Sequence, residues 1–130
     1  ILPPAIIGIL GGGQLALMLA HAGQKLGYQI AIYSDQADAP ALQATNLGFH
    51  GAYDDQVKLD KFAELCTVIT SEFENISPAA LAYLATKATL KPNHTSLTIA
   101  QNRLKEKSFI NQLGFKTARF NKIDNFRRKG

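Results

Sequence analysis

A short apolar run that stops at three glycines and leads into a helical repeat is the feature that most narrows the fold. Ala5–Leu10 (Ala-Ile-Ile-Gly-Ile-Leu) carries no charge and ends at Gly11-Gly12-Gly13. A run of that length suits a strand buried on both faces. Leu15, Met18, Leu19, Ala22 and Leu26 then recur at helical spacing, the apolar stripe of an amphipathic helix, and Gly27 is placed to stop it. Strand, glycine turn and helix in that order open an α/β sheet.

The same alternation continues. Ile30–Tyr33 is a second β-rich run, and Asp38-Ala39-Pro40 predicts a small helix with Asp38 as its cap and Pro40 in its first turn. Leu47–Ala52 is a weaker third strand, interrupted by Gly48 and Gly51. Leu59, Phe62, Ala63 and Cys66 share one helix face, with Asp54-Asp55 placed to cap it, and Thr67–Ser71 is a fourth strand. Ser77-Pro78 starts a helix with the stripe Leu81, Leu84, Ala85 and Ala88. Thr89–Lys91 reads as a short fifth strand. The expected fold class is therefore α/β, a Rossmann-like doubly wound parallel sheet with helices on both faces.

After Pro92 the pattern changes. Asn93–Gln101 and Leu104–Leu113 read as helices, the second stopped by Gly114, and Lys116–Phe120 as the start of a strand. Residues 1–92 are thus expected to form one domain and residues 93–130 to open a second, incomplete one.

Composition excludes several classes of function. The 130 residues are 46% hydrophobic and 18% charged, which suits an ordered domain rather than a disordered chain. No apolar run approaches the roughly 18–20 residues of a membrane span, and Ile1–Leu10 lacks the basic start of a secretory signal. Arg127, Arg128 and Lys129 supply three of the 14 Lys and Arg; the remaining 11 face 10 acidic residues, so the net charge of +4 belongs to a short tail. That distribution argues against a nucleic-acid partner. Cys66 is the one cysteine, which rules out an internal disulfide and fits a reducing, cytoplasmic location. His21, His50 and His94 share no ligand spacing, so no zinc site is expected.

Gly11-Gly12-Gly13-Gln14-Leu15-Ala16 matches G-x-G-x-x-A, where close backbone approach, exposed N–H groups and the helix dipole favour an anion. Asp35, at the end of the second strand, stands where dinucleotide sites hold an acid for ribose hydroxyls. A phosphate ligand, a nicotinamide cofactor and a purely structural tight turn all fit the loop. Glu72 and Glu74 follow the fourth strand, where open α/β sheets bind ligands; a helix-dipole role for them fits equally. Asn102–Lys107 reads as a solvated face, within which Arg103 is the side chain best suited to grip a phosphate.

Together these segments resemble the amino-terminal part of the 5-(carboxyamino)imidazole ribonucleotide synthetase family, also known as phosphoribosylaminoimidazole carboxylase ATPase subunits, within the ATP-grasp superfamily. The resemblance runs over about residues 5–120. It rests on Ile7–Leu15, Asp38-Ala39-Pro40-Ala41, Tyr53-Asp54-Asp55, Thr70–Ile76, Gln101–Lys107 and Leu113–Ala118. It implies a pre-ATP-grasp domain followed by the opening of an ATP-grasp domain. The implied activity is ATP-dependent carboxylation of 5-aminoimidazole ribonucleotide with bicarbonate, through carboxyphosphate, in purine biosynthesis. It further implies ATP and Mg2+ rather than NAD, and a homodimer. Gly13, Gln14, Leu15, Glu72 and Glu74 are then the substrate-binding residues and Arg103 the ATP-binding one, with catalytic and metal-binding residues expected outside these 130. Ala16-Leu17 replaces the family's Gly-Arg or Gly-Lys, Asn102 its aspartate, and Arg119 its proline after Thr-Ala. Another ATP-grasp ligase, of the glycinamide ribonucleotide formyltransferase or biotin carboxylase type, and a non-catalytic dinucleotide-binding module are the alternatives.

Overall fold

The structure, a computed structural model, describes residues 1–72 and 75–123. Four parallel strands, β1 (Ile6–Leu10), β2 (Gln29–Ser34), β3 (Leu47–His50) and β4 (Val68–Ser71), lie in the order β3-β2-β1-β4. In register, Ile9 of β1 stands beside Ile32 of β2 and Thr70 of β4. Successive residues of a strand point to opposite faces, and the two cores follow from that. Ile9, Ile30 and Ile32 join one cluster, with Ala16 and Ala20 of helix α1 (Gln14–Lys25) and Ala41 of a 3-10 helix (Pro40–Ala44). Leu10, Ala31 and Tyr33 join the other, with Leu59 and Phe62 of α2 (Gln56–Leu65) and Leu81 and Leu84 of α3 (Pro78–Lys87). The sheet is therefore covered on both faces, the doubly wound arrangement expected from the alternation.

Helix boundaries follow local chemistry. Asp55 caps α2 by accepting from the Lys58 N–H at 3.1 Å, and Ser77 caps α3 by accepting from the Ala80 N–H at 3.1 Å. Gly27 adopts φ +85° just beyond α1, a left-handed conformation that glycine reaches without a Cβ penalty. Asn93 caps α4 (His94–Ala100) and Asn102 caps α5 (Arg103–Gln112).

Several expectations are corrected. The large apolar residues of α1 do not face the core: Leu15, Met18 and Leu26 are each more than 60% exposed. The buried face is Ala16 and Ala20 instead, with Gly23 close by, where a Cβ would come within 2.6 Å of Ile30 Cδ1. Small side chains let the helix lie close to the sheet, and that steric demand outweighs the pull of the larger stripe. The N-cap position of the 3-10 helix is Ala39, without a side-chain cap, so Asp38 does not play that role. Helix α2 ends at Leu65, leaving Cys66 extended rather than on the helix face, though still packed against the core. The fifth strand shrinks to one bridge, Leu90 beside Ile69. No strand forms over 116–120; the Thr117 N–H instead donates to Asn111 Oδ1 at 3.2 Å. Helices α4 and α5 bury no residue, although α4 packs beside α3 and the Gln101 amide donates to the Ile76 carbonyl at 2.6 Å.

Candidate functional site

Parallel strands deliver all their carboxyl ends to one edge of the sheet, and the place where neighbouring connections diverge leaves a crevice there. In the order β3-β2-β1-β4 that place lies between β1 and β4. Each of the four strands contributes to a cavity of about 160 Å³ at this edge. Gly11, Gly12 and Gly13 come from the turn after β1, Ser34, Asp35 and Gln36 from the end of β2, Tyr53 from beyond β3, and Glu72 from the end of β4. Backbone bonds fasten the edge: the Gly11 N–H donates to the Tyr33 carbonyl at 2.9 Å and the Glu72 N–H to the Leu10 carbonyl at 3.0 Å.

The three glycines serve different ends. Gly11 sits at φ +112°, a backbone that side chains disfavour. At Gly12 a Cβ would lie 2.5 Å from Ala39 Cβ and 2.6 Å from Ser34 Oγ, so the turn packs against the end of β2 and the following loop. At Gly13 the nearest neighbour of a Cβ would be Glu72 Oε1, at 3.3 Å. Fold requirements thus account for the first two glycines. The third places the start of α1 beside the carboxylate after β4.

Electrostatically the cavity is acidic. Among the described residues its lining includes Asp35 and Glu72 but no lysine, arginine or histidine. Burial pushes the Glu72 carboxyl above its usual range. It also raises the Tyr53 phenol, with the Asp35 and Glu72 charges adding to the effect, so Tyr53 is a neutral donor at physiological pH. The ring of Tyr53 rests 5.6 Å from that of Tyr33, which is fully buried, stacks edge-on to Phe62 at 5.5 Å and donates its hydroxyl to the Ala52 carbonyl at 2.7 Å. Ser34, also buried, accepts from the Gln36 N–H at 3.1 Å and shapes the turn after β2. Two carboxylates without a cation repel a phosphate and accept from hydroxyl or amino groups. The loop's likeness to a phosphate cradle is therefore not matched by the side chains around it.

The expected site residues separate in space. Gly13 and Glu72 line the cavity together. Gln14 opens α1 at the surface outside the lining set, while Leu15 points into an apolar groove with Met18, Leu19 and Ala22, which Glu72 borders from its other side. Glu74 lies outside the described residues. Arg103 is exposed on α5 and paired with Glu106 at 2.5 Å, away from the cavity lining. Asp35, read from sequence only in a dinucleotide setting, shares the cavity with Glu72, and Tyr53, noticed only within a motif, lies between them in charge terms. Tyr53, just beyond β3, is legible from the same strand-end position that singles out Asp35 after β2 and Glu72 after β4.

Among the described residues no group of three or more histidine, cysteine or acidic side chains is placed to hold a metal ion. No helix among them is long and apolar enough to cross a membrane. Burial raises the Cys66 thiol to about 12, as befits a packed rather than a reactive cysteine.

Known proteins share this architecture. The N5-carboxyaminoimidazole ribonucleotide synthase of Brucella melitensis biotype 1 is 43% identical over 122 residues, covering 94% of this chain and 34% of that protein. A crystal structure of an N5-carboxyaminoimidazole ribonucleotide synthetase in complex with ADP superposes with a TM-score of 0.86 at 38% identity, over 92% of this chain and 32% of that one. The Aspergillus clavatus N5-carboxyaminoimidazole synthase, solved with ADP and 5-aminoimidazole ribonucleotide, gives a TM-score of 0.79 at 26% identity, over 88% of this chain and 31% of that one. The chain therefore spans about a third of the length of the relatives it matches. Residues 5–101, from the first strand to the end of α4, match the ribonucleotide synthetase preATP-grasp domain, and the chain belongs to that family.

Proposed function

We propose that this chain is the substrate-sugar domain of an ATP-grasp ligase that carboxylates 5-aminoimidazole ribonucleotide, a step of purine biosynthesis. The observation that carries the reading is the meeting of Gly13 and Glu72 in one cavity at the divergence between β1 and β4. An acidic crevice of that kind suits the hydroxyl-rich part of a ribonucleotide, with its phosphate directed outward. The relatives' names supply the reaction class.

In this reading ATP converts bicarbonate to carboxyphosphate, and the exocyclic amine of the ribonucleotide takes up the carboxyl group. The contribution of this chain is to hold the sugar so that the amine is correctly placed, a positioning role that governs rate through orientation. Gln14 and Leu15 border the substrate at the start of α1, Glu74 supports Glu72, and Arg103 approaches ATP once its Glu106 partner is exchanged for phosphate. Mg2+ belongs to the same reaction, with its ligands outside the described residues, among which no group of three or more histidine, cysteine or acidic side chains is placed to hold a metal ion. Residues from 93 onward open the ATP-grasp domain, and the 130 residues alone do not turn over ATP. A homodimer in the cytoplasm completes the reading, supported by the family resemblance and by the single unpaired thiol.

The test uses a protein that carries this chain together with an ATP-grasp domain, supplied with ATP, Mg2+, bicarbonate and 5-aminoimidazole ribonucleotide. Phosphate release is expected only when the ribonucleotide is present, and Glu72→Ala is expected to raise its KM while leaving that for ATP unchanged. Release that ignores the ribonucleotide, or answers only to glycinamide ribonucleotide or biotin, overturns the reading. Saturable NADH binding that depends on Asp35 supports a dinucleotide module instead.

A further inference from the structure

The opposite edge of the sheet, where the strands begin, carries a second opening. The ladder between β2 and β3 starts with Ala31 beside Leu47. Just before it the Thr45 hydroxyl stands between the strands, donating to the Ile30 carbonyl and accepting from the Leu47 N–H at 3.0 Å, so the chains part. The gap is a groove of about 380 Å³, walled by Gln24 of α1, by Tyr28, Gln29 and Ile30 at the start of β2, and by residues 43–47, which lead from the 3-10 helix into β3. That volume lies in the range of complete small-molecule sites, roughly 300–1,000 Å³. Two of its polar groups are engaged and hold the walls. Gln24 Nε2 donates to the Ala44 carbonyl at 2.7 Å, tying the end of α1 to the 3-10 helix, and the Tyr28 hydroxyl donates to the Ile1 carbonyl at 3.0 Å. Gln29, Gln43 and Asn46 are exposed, and their carboxamides make no hydrogen bond among the described residues. The described lining carries no charged side chain.

We propose that this groove is a binding site for a neutral, flat amino-heterocycle of the adenine type, separate from the crevice at the carboxyl edge. A carboxamide presents one acceptor and two donors in a single plane. Adenine carries a donor beside an acceptor on one edge, a pairing that a glutamine or asparagine side chain meets with two hydrogen bonds. Three carboxamides with no other partner stand along the groove, and a base supplies what they lack. Ile30, Leu47 and the Tyr28 ring give the apolar wall on which the flat face of such a ligand rests. A phosphate or carboxylate finds no cation there to offset its loss of water. A sugar presents hydroxyls on all sides and leaves the apolar wall unmatched.

The experiment titrates the isotopically labelled 130-residue chain with 9-methyladenine. It follows the side-chain NH2 resonances of Gln24, Gln29, Gln43 and Asn46 together with the backbone amides of Gly11, Gly12 and Gly13. The carboxamide resonances are expected to shift saturably, with a Kd of about 1 mM or tighter, while the glycines stay in place. The N6,N6-dimethyl analogue, which keeps the flat face and loses the donor, is expected to bind about fivefold or more weakly. The triple variant Gln29→Ala, Gln43→Ala, Asn46→Ala changes exposed positions only and is expected to weaken 9-methyladenine by about fivefold or more, with the spectrum elsewhere unchanged. The comparison of the two ligands uses the natural sequence and does not depend on how the variant folds. No saturable shift, shifts confined to the glycines, equal affinity for the dimethyl analogue, or a triple variant that binds as well as the natural sequence each overturn the proposal. Methyl glucoside shifting the same carboxamides at equal or lower concentration also overturns it and makes the groove a saccharide site.

Discussion

Gly12→Ala separates the structural use of the glycine turn from its ligand-binding use. The added Cβ would stand 2.5 Å from Ala39 Cβ, 2.6 Å from Ser34 Oγ and 2.8 Å from Ser34 Cβ. Both neighbours are buried, at 3% and 2% exposure, and a Cβ cannot rotate out of the way, so relief requires backbone movement. The Ser34 hydroxyl can rotate only by releasing the Gln36 N–H, a bond whose loss costs about 1 kcal/mol. Overpacking of a close-packed site costs about 1–3 kcal/mol, and two immovable contacts place this variant in the upper part of that range, about 2–3 kcal/mol. For a domain of this size that corresponds to a fall in Tm of about 6–15 °C. Urea and thermal unfolding followed by circular dichroism measure both quantities. Adding Ala39→Gly removes the shortest contact, and the double variant is expected to recover more than about 0.5 kcal/mol of the loss, a coupling that a double-mutant cycle isolates. Gly13→Ala is the contrast: its Cβ meets only the end of the flexible Glu72 side chain, so its stability falls by less than about 1 kcal/mol, the scale of an altered helix cap. A loss below about 0.5 kcal/mol for Gly12→Ala, or equal losses at both positions, would refute the assignment of Gly12 to packing.

Two further outcomes follow from charge and exposure. Burial raises the Glu72 carboxyl above its ordinary 4.5, so its ionised form is less favourable in the folded chain than in the unfolded one. A group raised in this way supports folding fully below its unfolded value, and that support is lost as pH rises through the folded value. Glu72→Gln is therefore expected to be more stable than the natural sequence at pH 7, with the difference shrinking as pH falls through the raised folded value and gone below 4.5; a difference independent of pH in urea titrations refutes the burial argument. Met18→Lys, on the exposed stripe of α1, is expected to change stability by less than about 0.5 kcal/mol, whereas a core position would lose 2–5 kcal/mol. A thermal melt decides between the two.

The order of the elements was legible because it depends on local rules. An apolar run ending at Gly11, a cap at Asp55 and another at Ser77 followed by Pro78 each act within a few residues, and all appear where the sequence places them. Expectations that depended on neighbours in space fared differently. Helical spacing cannot tell whether Leu15, Met18 and Leu19 or Ala16 and Ala20 meet the sheet, because both sets form a stripe. The choice was made by how closely α1 approaches β2, where even a methyl on Gly23 would collide with Ile30. Similarly, Thr89–Lys91 has strand chemistry but pairs with β4 at one bridge, the Ile69 N–H donating to the Thr89 carbonyl and the Lys91 N–H to the Ile69 carbonyl.

By itself, then, the sequence determined the alternation of strands and helices, the positions of the turns and the likeness to a family, all of which are written in short-range pattern. Only the tertiary structure decided which residues share the cavity. Asp35, Tyr53 and Glu72 are separated along the chain by whole strand–helix units, and their meeting follows from parallel strands ending at one edge of the sheet. Their combined character, two carboxylates and a phenol with no cation among the described lining residues, belongs to that meeting and to no segment alone. It sets an acidic wall, among the described residues, beside a glycine loop that reads in the sequence as a phosphate cradle.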